Sequence, residues 1–104
     1  MDRVSIIIPT YGSNTDPCRA IDSVLRQTYK NVEVVVVDDN GKGTAQQIKN
    51  EELFSKYQND SRVRYVVHSK NLGGSVARNT GVAHSSGKYL CFWMMMMNSF
   101  KGAK

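Results

Sequence analysis

Asp38 and Asp39 directly follow the apolar run Val32–Val37. A carboxylate at the end of a buried strand projects to where a ligand's donor groups, or a metal ion, can meet it. Asp and Asn are also favoured turn residues, so the alternative is a loop cap beside a solvated acid; for an adjacent pair we expect a split of roles. Thr10 and Tyr11 stand just past the first apolar run. The Tyr11 ring can stack on a planar base, a contact that contributes roughly 1–3 kcal/mol per base in single-stranded nucleic acids, or it can anchor its loop over the first helix. Asn71, Gly73 and Gly74 precede a predicted helix whose first N–H groups are unpaired and attract phosphate. Arg78 and Asn79 lie inside that helix, facing either a crevice or the sheet edge. His68 and His84 are isolated and read as surface or structural histidines. There is no GxxxxGK[ST], no GxGxxG after the first apolar run, and no Ser/His/Asp or Cys/His arrangement, which removes a P-loop, a dinucleotide fingerprint and a recognisable nucleophile.

The elements that must position these residues are legible in the hydrophobic pattern. Val4–Ile8 is a β-branched strand, with Pro9 expected to stop it. Pro17–Tyr29 places Ala20, Ile21, Val24, Leu25 and, weakly, Thr28 on one helical face, with Asp16 as N-cap and Pro17 at the first helical position. Val32–Val37 is apolar almost throughout, the mark of a strand covered on both faces. Thr44–Tyr57 forms a weaker helix around Ile48, Leu53 and Phe54; Val63–Val67 is a third strand. Ser75–Ala83 is a short helix offering Val76, Val82 and Ala83 for packing, and Tyr89–Met97 is a fourth strand. The order βαβαβαβ predicts an α/β fold, a three-layer, mostly parallel Rossmann-like sheet. Ligands of such sheets bind beyond the carboxyl ends of the strands.

Composition narrows the classes further. The 104 residues suit one domain, 1–104, with neither the charge excess of a disordered chain nor low complexity. The net charge of +5 comes from basic residues scattered from Arg3 to Lys104 without a run, so no nucleic-acid partner is expected and a solvated basic surface tolerant of anionic ligands is preferred. Cys18 and Cys91 are far apart and lack zinc-site spacing, which predicts free thiols. The longest apolar run, Tyr89–Met97, is shorter than the roughly 20 residues that cross a bilayer. With no apparent secretion signal, the expected location is cytoplasmic, including the inner membrane face.

Five segments taken together carry a resemblance. Val4-Ser5-Ile6-Ile7-Ile8-Pro9-Thr10-Tyr11, Ala20 through Tyr29, Glu33-Val34-Val35-Val36-Val37-Asp38-Asp39, Asn71-Leu72-Gly73-Gly74 and Ala77-Arg78-Asn79-Thr80-Gly81 resemble, in order and spacing, the family 2 glycosyltransferases of the GT-A fold. The resemblance implies a nucleotide-sugar-binding half of a truncated GT-A domain with strand order 3-2-1-4. It also implies transfer of a sugar from a nucleotide-diphosphate-sugar donor to an acceptor, in glycan or polysaccharide biosynthesis. By that analogy Thr10 and Tyr11 line the nucleotide pocket with Tyr11 against the base. Asp39, with Asp38 beside it, hydrogen-bonds the base or its ribose, and Arg78 is carried over as a further contact.

The same resemblance implies a divalent cation, Mg or Mn, as cofactor. Where the family carries an Asp-x-Asp type cluster, this chain has Met94-Met95-Met96-Met97. Thioether sulfur is a poor ligand for a hard cation, so no metal residues are assigned, and the chain alone is expected to be inactive. Four consecutive Met cannot readily converge on a soft ion either, because neighbours on a strand point to opposite faces. A non-catalytic nucleotide-sugar-binding or interaction module is the competing reading. A phospho-receiver is weaker, since its acidic site needs carboxylates where strand one ends Pro9-Thr10-Tyr11. An apolar fourth strand left uncovered would favour a homo-oligomer through that edge.

Overall fold

The computed structural model describes residues 2–12, 17–26 and 30–92. The chain runs β1 (Val4–Thr10), α1 (Pro17–Leu25), β2 (Val32–Asp38), α2 (Ala45–Phe54) with a 3-10 turn (Ser55–Tyr57), β3 (Val63–Val67), α3 (Gly74–Ala83) and β4 (Tyr89–Phe92). The four strands form one parallel sheet in the order β3-β2-β1-β4, the expected order. β2 is buried at every position. Ile8, Val34 and Val36 face α1 and α2, packing with Ile21, Val24, Phe54 and Tyr57; Ile7, Val35 and Val37 face the other way, with Ala77 of α3. Those two apolar layers make the three-layer α/β architecture.

The differences from the sequence expectation have local causes. β1 continues through Pro9 to Thr10, paired with Val37 and Asp38. Thr10 O accepts from Asp39 N, so Thr10 points toward β2 and Pro9, by alternation, toward β4. β4's described pairing ends at Ile7↔Phe92, so the N–H that Pro9 lacks costs no bond among the described residues. In α2, Phe54 is buried but Ile48 and Leu53 are exposed; Gln47 and Asn50 are buried in their place. In α3, Val76, Val82 and Ala83 are exposed, and the face on the sheet is Ala77 and Gly81. A Cβ on Gly81 would overlap the Ile7 side chain, so the helix packs through its smallest residues. α1 runs to Leu25 with Arg26 in a turn, Asp16 and residues 27–29 lie outside the described residues, and β4 is described only to Phe92. Cys18 is buried, Cys91 is exposed, and neither forms a disulfide.

Candidate functional site

Strand alternation separates the two adjacent carboxylates. Asp38 follows Val34 and Val36 on the α2 face, and Asp39 follows Val35 and Val37 on the α3 face. Asp38 is wholly buried. Its Oδ1 accepts from Asn40 N at 3.0 Å and Asn40 Nδ2 at 2.7 Å, and its Oδ2 from Asn50 Nδ2 at 2.9 Å and Tyr65 Oη at 2.6 Å. Burial and the hydrogen bond donated to Asp38 push the Tyr65 hydroxyl well above the usual phenol range, which keeps it a donor. Asp38 is therefore set apart from the ligand-contacting place beside Asp39 that the resemblance implied. It joins β2 to α2 and β3, and Asn40 passes the connection on by accepting from Gly12 N at 2.9 Å.

Asp39 organises the opposite face. Its Oδ1 accepts from His68 Nδ1 and from Leu72 N, each at 2.8 Å; its Oδ2 accepts from Asn71 Nδ2 at 2.8 Å and Gly73 N at 2.9 Å. Directly after these two backbone donors the chain enters α3 through Gly73 at φ 100°, a conformation open to glycine and rare for other residues. Four donors fill the roughly four acceptor positions of a carboxylate. His68, buried at the end of β3, completes the arrangement through Nε2 against Thr80 Oγ1 at 2.8 Å.

Beside this cluster lies a cleft of about 350 Å³ lined by Pro9, Thr10, Tyr11, Asp39, Asn71, Gly73, Gly74 and Ala77. It opens at the carboxyl ends of β1 and β2, the expected position for a ligand site. Tyr11 is 62% exposed, whereas Thr10 is almost wholly buried in the wall. Arg78 folds back on the first turn of α3. Its Nη1 is 3.5 Å from where a Cβ of Gly74 would stand, and its Nη2 is 3.5 Å from Ser75 Oγ, so the guanidinium lies beside the helix turn that begins at the cleft-lining Gly74. Thr10, Tyr11 and Asp39 thus line one cleft, whereas neither Arg78 nor Asp38 is among its lining residues. A larger groove, about 650 Å³ between α2 and β3, is lined by Phe54, Tyr57 and Tyr65 among others and contains none of these residues.

The profile described as Glycosyl transferase family 2 matches residues 5–93. The chain belongs to this family. It is 43% identical over 90 residues to an uncharacterized glycosyltransferase of Rickettsia felis, covering 86% of this chain and 14% of that one. It is 32% identical over 88 residues to the amylovoran biosynthesis glycosyltransferase AmsB of Erwinia amylovora, covering 85% and 29%. Among solved structures, the mannosyltransferase PcManGT of Pyrobaculum calidifontis, in complex with GDP-Man and Mn2+, superposes with a TM-score of 0.67 at 28% identity, over 86% of this chain and 26% of that one. The chain thus spans between about a seventh and under a third of these proteins, and the likeness to PcManGT assigns the sheet and its helices to the GT-A glycosyltransferase fold.

The donor set among the described residues does not fit a hard divalent ion. Among the described residues no three His, Cys, Asp or Glu side chains come together as a metal site. Asp38 and Asp39 face apart with their oxygens taken, and Met94–Met97, which lie outside the described residues, supply only thioether sulfur. His68, Asn50 and Tyr65 are the site residues that the sequence reading missed. None carries a local signal, since each meets its aspartate from 12 to 29 residues away.

Proposed function

We propose that this chain forms the nucleotide-binding part of an enzyme that transfers a sugar from a nucleoside-diphosphate-sugar donor to an acceptor in glycan or polysaccharide assembly. The observation that carries the reading is the cleft at the ends of β1 and β2, with the exposed Tyr11 ring on one side and the Asp39-centred loop on the other, in a chain of glycosyl transferase family 2. Tyr11 stacks on the base. Arg78 and the first turn of α3 attract the diphosphate, aided by the net positive charge. Thr10 shapes the wall. A base N–H or ribose hydroxyl gains Asp39 by displacing one of its four donors, and the Asn71 amide, on an exposed residue, is the one released at least cost. The complex of PcManGT with GDP-Man and the naming of AmsB for amylovoran biosynthesis support the donor class and the pathway class.

Calorimetric titration with uridine and guanosine diphosphates tests this reading. Binding by the unsubstituted chain is expected, with Tyr11→Ala weakening it about tenfold, as loss of a stacking contact of roughly 1–3 kcal/mol requires. No binding of either nucleotide removes the reading. A binding module without transfer is the second reading, favoured by the Met94–Met97 segment where the resemblance implies acidic ligands. Nucleotide binding with no donor hydrolysis or sugar transfer, with or without manganese, selects it.

A further inference from the structure

We propose that His68 is the positioning residue of the nucleotide cleft, holding Asp39 and through it the Asn71–Gly73 wall in binding geometry; this rests on the nucleotide reading above. The ring is buried between three elements: the end of β2 at Asp39, its own β3 terminus, and α3 at Thr80. Ionised Asp39 is an acceptor only, so at 2.8 Å the proton belongs on Nδ1 of the imidazole. A threonine hydroxyl both donates and accepts, so with the proton on Nδ1 the Thr80 hydroxyl donates to Nε2, also at 2.8 Å, and holds the ring from its other side. His68 itself is absent from the cleft lining, while its partner Asp39 lines the cleft together with Asn71 and Gly73. The backbone N–H groups of Leu72 and Gly73 converge on the same carboxylate that His68 orients, so a change in the ring's contact is passed to the wall through Asp39. Without the ring, Oδ1 keeps one donor of two and the carboxylate is held only by the loop it organises, at Asn71, Leu72 and Gly73.

Two measurements on the 104-residue chain test the assignment. Nitrogen-15 NMR of the neutral imidazole is expected to show a protonated Nδ1 and an unprotonated Nε2 for His68; the reverse tautomer overturns the proposal. Calorimetry with uridine and guanosine diphosphates reads the consequence. His68→Leu is expected to lower affinity by about tenfold or more, the scale of a hydrogen bond to a charged group. His68→Asn, whose amide can donate toward Asp39, is expected to recover most of that loss. Equal affinity in all three chains overturns the positioning role and leaves the nucleotide reading standing, whereas no binding by the unsubstituted chain removes both. Should His68→Leu fail to fold, Thr80→Val carries the test: loss of the hydroxyl that holds Nε2 is expected to weaken binding several-fold, and unchanged affinity overturns the proposal.

Discussion

At the residue scale, the two halves of Asp38–Asp39 do different work although they are chemically identical neighbours. Asp38 receives donors from Asn40, Asn50 and Tyr65 inside the protein. Asp38→Ala strands buried donors, each costing about 1–3 kcal/mol when left unpaired. Denaturant unfolding is expected to show a loss of roughly 2–4 kcal/mol, with a loss below 1 kcal/mol arguing against the buried network. A third buried carboxylate, Glu33, lies at the other end of the sheet, where it accepts from Ser5 Oγ at 2.6 Å and from the Ser86 backbone and hydroxyl, with Arg64 at 3.6 Å. Burial pushes Glu33 up, but the hydrogen bonds from Ser5 and Ser86 and the charge of Arg64 outweigh it and leave its pKa below the ordinary 4.5. A lowered folded-state pKa contributes stability that is complete above the unfolded value and is lost as pH falls through the folded one. Urea midpoints measured from about pH 6 down to about pH 3 should therefore fall, and Glu33→Gln should flatten that dependence.

At the element scale, α3 combines a tight packing face with a site-forming end. Its N-terminus borders the cleft at Gly73 and Gly74, and its middle rests on β1 through Ala77 and Gly81. Replacing a helical glycine by alanine ordinarily gains about 1 kcal/mol. At Gly81 the added methyl overlaps the Ile7 side chain, and overpacking of that kind costs roughly 1–3 kcal/mol. Gly81→Ala is accordingly expected to lower the melting temperature; a rise would show that α3 stands farther from the sheet than described. The bounds of β3 follow from its β-branched run alone, and those of α3 to within one residue. The packing faces of α2 and α3 were not legible. Apolar periodicity pointed to Ile48, Val76 and Val82, whereas the observed contacts use Gln47 and Asn50 to satisfy Asp38 and small residues to approach β1.

At the scale of the whole molecule, the sheet has one protected centre and one bare side. β2 is fully buried, while all four residues of β4 are exposed, among them Tyr89, Leu90 and Phe92. β4 is paired to β1 on one edge and to nothing on the other among the described residues. Open apolar edges recruit further strands, and a charged side chain there discourages it. Sedimentation of the 104-residue chain is expected to show concentration-dependent self-association that Leu90→Lys reduces. A clean monomer at high concentration would contradict the expectation.

The sequence by itself determined the order of elements and the doubly covered central strand, because periodicity and turn residues act over a few positions; its five motif segments carried the family and, through that resemblance, the strand order that sets Tyr11 and Asp39 at neighbouring strand ends. Tertiary structure alone decided which aspartate faces the cleft and which is spent on the core. That choice depends on the face each strand position presents and on partners such as Tyr65, His68 and Gly73, which lie 27 to 34 residues away along the chain and become neighbours only when the sheet and its helices are assembled.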